Sequence, residues 1–318
     1  MNRRTFLRST AALGATLPLA SRLTAQAPGA APAAATPAVP AAARAPRSHR
    51  KGFMLGTLNS ETAKKLPLLE KFRLLREAGF AGVEVPSALD QREVLAARDA
   101  TGLEIPSVVI STHWARPLSD ANPSVRAVGL EGLRQGLRDA NVYGAKSVLL
   151  VPAVVTKEVG YAEAYQRSTA EISKALPLAE SLGVTIAIEN VWNRFLLSPL
   201  EAVAYVDSFK SPLVRWHFDV GNVVTQAWPE QWIRTLGSRI VQVHVKEFSR
   251  KLRDQKGPFV GFQVDLLEGD SDWPETMAAF DAVGYTGWII AEQWRPPDLT
   301  DASWLAHLSG KLDQINAS

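Results

Sequence analysis

Three carboxylates and one imidazole stand at or near the ends of four successive β-rich runs. Glu189 closes Thr185–Glu189, Asp219 closes Val214–Asp219, His244 falls within Ile240–Val245, and Glu292 closes Trp288–Glu292. Side chains alternate along a strand, so one residue from each run can face a common side. A charge ending Ile186-Ala187-Ile188-Glu189 must be paired or coordinated if it is to be buried. Oxygen donors with a single imidazole suit a hard divalent ion such as Mn²⁺, Mg²⁺, Co²⁺ or Fe²⁺, whereas structural zinc usually takes more nitrogen or sulfur. Taken singly, each residue also reads as a helix cap or a satisfied core group. Four on consecutive strands read as a metal site.

The elements that must position them form a regular series. Candidate strands Phe53–Thr57, Gly82–Val85, Ile105–Thr112 and Ser147–Val151 precede the four already named. Helical stretches lie between, among them Leu66–Ala78, Val125–Tyr143, Ala162–Ser181 and Trp273–Val283. Helix ends are signalled by Gly79, Gly144, Gly183 and Gly284, and helix starts by Ser60, Ser198 and Asp272. Strict alternation implies a parallel sheet, and this number of units fits an α/β fold of the (β/α)₈ TIM-barrel type over residues 51–318. The alternative, an open doubly wound sheet, usually carries a glycine-rich phosphate turn after its first strand. Gly56-Thr57-Leu58-Asn59-Ser60 has none.

Ahead of this body, residues 1–27 read as an export signal: Arg3-Arg4-Thr5-Phe6-Leu7, an apolar stretch, then Ala25-Gln26-Ala27. The paired arginines resemble a bacterial twin-arginine signal, which implies a periplasmic or otherwise exported protein with no membrane span after cleavage. Residues 28–50 are mostly Ala and Pro and read as an extended linker. The leader also disguises the charge. Eight basic residues and no acid lie within 1–51, so a total of +3 leaves the body at −5. A body of that sign does not favour nucleic acid. There is no cysteine, which excludes thiolate chemistry and Cys-ligated zinc.

The chain resembles the xylose isomerase-like barrel family of sugar isomerases and sugar-phosphate epimerases. The resemblance spans 52–318 and is carried by Ile188-Glu189-Asn190, Phe218-Asp219-Val220-Gly221-Asn222, His244-Val245-Lys246-Glu247, Leu267-Glu268-Gly269-Asp270-Ser271-Asp272-Trp273 and Ala291-Glu292-Gln293-Trp294. It implies one divalent ion on Glu189, Asp219, His244 and Glu292, manganese ahead of Mg²⁺, Co²⁺, Fe²⁺ or Zn²⁺. It also implies that Glu189 and Glu292 exchange a proton α to a sugar carbonyl, by way of an enediolate. Arg250 resembles a substrate-binding arginine of ketose epimerases, and Lys246 is placed to hold a developing oxyanion. Two positions depart from the ketose 3-epimerase pattern: Asn222 stands where a second histidine is often found, and Phe195 where a substrate-contacting glutamate is.

Substrate contacts are further expected from His113, Trp114, Asn190, His217, Asn222 and Trp294, with Trp192 and Phe262 also in strand-end loops, where flat rings fit a sugar's C–H face. His217 reads equally well as a core histidine, and Trp232 and Trp304 as helix–barrel packing. No dense basic cluster marks a phosphate pocket, which favours a non-phosphorylated sugar or glycoside. Four functions stay open: isomerisation or epimerisation of a sugar, lyase or hydrolase action on a 3-keto-glycoside, an abasic-site endonuclease, and a non-catalytic sugar-binding barrel. The endonuclease is disfavoured by the acidic body and by having only five histidines, one of them His49 in the linker. A homo-oligomer is left open.

Overall fold

A computed structural model describes residues 47–318. The export signal and most of the linker expected over residues 1–46 lie outside the described residues. Eight parallel strands close a barrel in sequence order. They are β1 (Lys51–Met54), β2 (Gly82–Pro86), β3 (Ser107–Val109), β4 (Ser147–Leu150), β5 (Thr185–Glu189), β6 (Val214–Asp219), β7 (Ile240–Val245) and β8 (Ile289–Ala291). Gly52 registers with both Gly82 of β2 and Ile290 of β8, which seals the ring.

Six strands agree with the sequence expectation to within a residue at each end, and β1 and β3 differ for local reasons. In β1 the chain turns into a short 3-10 segment at Leu55–Thr57. β3 begins only after Pro106, which has no N–H to give to a ladder. Helices end where expected at Gly144 and Gly183, with φ of 80° and 65°. Ser60 and Ser198 cap their helices through their hydroxyls. Asp272 does not: it sits at φ 43° and its side chain makes no cap bond to the helix Trp273–Ala282.

Alternation divides every strand into two jobs. The outward set, such as Phe218 against Phe280, packs under helices. Trp304 meets Phe53 edge-on at 5.5 Å and is fully buried, as expected of a packing residue. The end of the expected linker belongs to this packing as well. His49 is buried and stacks on Tyr285 at 5.6 Å, and Arg47 pairs with Asp281. No helix among the described residues is long and apolar enough to cross a membrane.

Candidate metal centre

The inward set carries the chemistry. Glu84 of β2, Glu189 of β5, His217 and Asp219 of β6, and His244 of β7 are all buried, with Glu292 one residue past β8. Register sets them beside one another: Glu189 lies opposite His217, Asp219 opposite His244, and His244 opposite Ile290. The Glu292 N–H still donates to the Val245 carbonyl at 3.0 Å, so its side chain is held at the rim although the strand has ended.

Donor atoms from Glu189, Asp219, His244 and Glu292 lie within 4.8 Å of one another. His244 Nδ1 is 2.8 Å from Glu292 Oε2, 3.5 Å from Glu189 Oε1 and 3.9 Å from Asp219 Oδ2. Three of these atoms, Asp219 Oδ2, His244 Nδ1 and Glu292 Oε2, are buried and meet no neighbour with hydrogen-bond geometry, short as the contacts are. Three carboxylates and an imidazole gathered this closely are a donor set that a divalent cation can occupy. The residues therefore fit the divalent ion expected from their types. Glu84 completes the arrangement from below, with Oε2 2.8 Å from His244 Nε2. That bond holds one ring proton on Nε2, so that the proton a cation displaces is the one on Nδ1, the nitrogen facing the carboxylates.

Lys246, two residues past His244, faces the same side and sits 2.9 Å from both Asp219 Oδ2 and Glu292 Oε2. The charges set each other. Burial pushes Glu189 up, only partly offset by His244, and raises Asp219 to about 7 against the pull of Lys246. Burial would raise Glu292 too, but Lys246 and His244 beside it hold it far below the carboxylate range. Burial opposes charge on His244, yet Glu84 and Glu292 keep its pKa well above normal.

Glu189, His244, Lys246 and Glu292 line a cavity of about 90 Å³ together with His113, Trp114, Val191 and Asn222. His113 Nδ1 accepts the Val151 N–H at 3.1 Å, and burial lowers its pKa to about 4. The ring is thus neutral, with its proton on Nε2 as a donor. Lys246 and the carboxylates, His113, Trp114 and Asn222 are brought together as their positions suggested.

Four other candidates lie elsewhere. Asn190 is consumed in bracing β5 against β6, accepting from Trp216 Nε1 and Asp219 N and donating to the Asp219 carbonyl. His217 lies below the mouth, fully buried, with its ring 4.1 Å from that of His244. Arg250 turns away, donating to the carbonyls of Val224 and Ala227. Trp294 is half exposed and packs on Phe262 at 5.8 Å, outside the cavity lining.

Two roles were not read from the sequence. Glu84 was visible only as a polar strand residue. Glu247, the outward neighbour of Lys246, is a fully buried anchor for the loop that follows. Its carboxylate accepts from Leu267 N, Ser271 N and Trp273 Nε1 at 2.9, 3.1 and 2.7 Å. Gln293, outward beside Glu292, accepts from Glu247 N and donates to the Val264 carbonyl. Alternation explains both: the inward residue meets the cavity while its neighbour fastens the loops.

The structure defines a closed (β/α)₈ barrel with buried carboxylate and histidine donors at its C-terminal rim. The sequence pattern of the xylose isomerase-like TIM barrel family matches residues 72–308, and the chain belongs to that family. L-ribulose-5-phosphate 3-epimerase UlaE of Escherichia coli O1:K1 / APEC is 28% identical over 242 residues, 71% of this chain and 82% of that protein. Among solved structures, an L-ribulose 3-epimerase superposes with a TM-score of 0.69 at 20% identity, over 85% of this chain and 95% of its own. The 3-keto-D-glucoside 4-epimerase YcjR of E. coli superposes at 0.68 and 17% identity, over 85% of this chain and 100% of its own. These likenesses establish the shared fold.

Proposed function

We propose that the protein is a divalent-metal-dependent sugar isomerase or epimerase that moves a proton α to a carbonyl. The observation that carries this is the convergence of Asp219 Oδ2, His244 Nδ1 and Glu292 Oε2, buried and without hydrogen-bond geometry, beside the Glu189 carboxylate. A bound divalent cation, manganese in the first instance, would acidify the C–H next to a carbonyl it polarises. One of Glu189 and Glu292 takes that proton and the other returns one to the opposite face, through an enediolate. Lys246 Nζ sits where negative charge grows on oxygen, and the His113 Nε2–H supplies a neutral donor at the cavity wall.

A non-phosphorylated substrate is supported by the cavity lining. Its one cationic side chain besides the imidazoles is Lys246, already committed to Asp219 and Glu292. UlaE, by its name, acts on a sugar phosphate, so the substrate differs from that relative's. Export belongs to the same proposal and rests on Arg3-Arg4-Thr5-Phe6-Leu7 with the apolar stretch behind it.

The test is deuterium wash-in. Protein loaded with Mn²⁺ is incubated in D₂O with a panel of ketoses and 3-keto-glycosides, and label is sought at carbons α to the carbonyl. Label that disappears in Glu189→Gln and Glu292→Gln, with bound Mn²⁺ measured in each variant, supports the scheme. A fully metal-loaded wild type that labels nothing in the panel refutes it.

A further inference from the structure

The cavity over the donor cluster, about 90 Å³, is well below the few hundred Å³ of an ordinary ligand pocket. A groove of about 370 Å³ opens directly beside it, and the two share Val191 and Asn222 as a common wall. The groove is lined mainly by carbon, with Phe195, Leu196, Leu197, Trp232 and Phe259 prominent. Leu197 and Phe259 are 55% and 64% exposed and stand on the lining of the same groove.

The groove is also rigidly built. Its wall, the loop after β5, holds two non-glycine residues in the left-handed region, Arg194 at φ 60° and Leu196 at φ 53°. Such backbone persists only where its surroundings enforce it. Asn193 does so by donating to the Ala153 carbonyl at 2.8 Å and accepting from Phe195 N at 3.1 Å. Tyr161 Oη accepts from Leu196 N, and Glu201 from Leu197 N, both at 2.9 Å. On the facing side, Trp192 is fixed by its Nε1–H to the Asn222 carbonyl and packs on Phe259 at 5.4 Å.

We infer that this groove is a binding subsite for an aryl aglycone, so that the substrate is a keto-glycoside whose carbonyl-bearing sugar ring reaches the donor cluster. The inference rests on the proposed sugar chemistry for the role of that cluster and adds the substituent the sugar carries. Carbon-rich walls and tilted aromatic rings suit a flat, apolar group. A phosphate subsite gathers several cations or a helix N-terminus. Here Arg194 is the single charged side chain on the wall, exposed at its edge, where a guanidinium can lie over an aryl face.

Binding is measured without turnover, by isothermal titration of the full chain with 4-nitrophenyl β-D-glucoside, methyl β-D-glucoside and glucose 6-phosphate. The aryl glucoside is expected to bind at least about tenfold more tightly than the methyl glucoside. Leu197→Asp, at an exposed position, should erase that preference while leaving the melting temperature and the methyl glucoside affinity unchanged. Equal affinities for aryl and methyl probes overturn the inference. So does a preference for glucose 6-phosphate that Arg194→Gln abolishes. Aryl binding in a protein that shows no deuterium wash-in would leave the subsite standing and remove the sugar chemistry. Wash-in with small ketoses but no aryl preference would do the reverse.

Discussion

Glu84 Oε2 and His244 Nε2 meet at 2.8 Å inside the barrel, in a contact that joins β2 to β7 across the sheet. The contact does two things at once. It fixes the ring so that Nδ1 faces Glu189, Asp219 and Glu292, and it makes the imidazole a stronger donor by hydrogen-bonding its far side to a carboxylate.

Glu84→Gln removes the charge while keeping an acceptor, and Glu84→Ala removes both. The alanine variant is expected to bind Mn²⁺ about 10–100-fold more weakly, and the glutamine variant to fall between it and wild type. Titration calorimetry on the purified variants measures this directly. Affinities within about twofold of wild type for both would show that Glu84 has no part in holding the metal ligand.

The centre was legible because strand ends are legible. Short β-rich runs put Glu189, Asp219, His244 and Glu292 at one end of the barrel, and the period of two put them on one side. Periodicity assigns a face but does not give depth. His217 shares its face with Asp219 yet lies a layer lower, under His244. Loop paths are set by partners distant in sequence, which spacing does not encode. Arg250 shows this: its side chain ends on Val224 and Ala227, carbonyls that precede it by 26 and 23 residues. Glu247 was likewise hidden, since an outward carboxylate gains a role only once the segment 267–273 folds back over it.

Burial of His113 gives a pH signature. Its pKa falls from 6.5 unfolded to about 4 folded, so below 6.5 the unfolded chain binds the proton that the folded chain refuses. Stability contributed by this group is therefore complete above 6.5 and lost progressively as pH falls toward 4. The loss amounts to at most about 3 kcal/mol. His113→Gln can still accept from Val151 N but does not titrate. The stability difference between wild type and variant, from urea unfolding in chelator at several pH values, should shrink from pH 7 to pH 4.5. A difference independent of pH would contradict the assignment.

Glu247 satisfies donors from three places in the following loop, and one of them is the indole N–H of Trp273. Glu247→Ala leaves those donors buried without partners and is expected to cost about 3 kcal/mol or more in unfolding free energy. Because the carboxylate points away from the cluster, Mn²⁺ affinity measured below the melting transition should change far less than stability. A variant of wild-type stability, or one whose main defect is metal loss, would refute this division of labour.

Gly221 stands two residues past Asp219, in the short helical turn Val220–Val224. A β-carbon there would lie 2.8 Å from the Lys246 carbonyl oxygen and 2.9 Å from Lys246 Cβ, closer than packed atoms allow. The backbone just past β7 cannot yield without moving Lys246, whose ammonium is 2.9 Å from both Asp219 and Glu292. Gly221→Ala is therefore expected to lose about 1–3 kcal/mol of stability and to lower kcat in the wash-in reaction as Lys246 shifts. Gly310 is the control, since a β-carbon there meets nothing within 4 Å inside the helix Asp301–Ala317. Gly310→Ala should instead gain about 0.5–1 kcal/mol from the better helix propensity of alanine. Thermal and urea unfolding of the two variants should move in opposite directions. If Gly221→Ala is as stable and as active as wild type, close approach to Lys246 is not what glycine provides at that position.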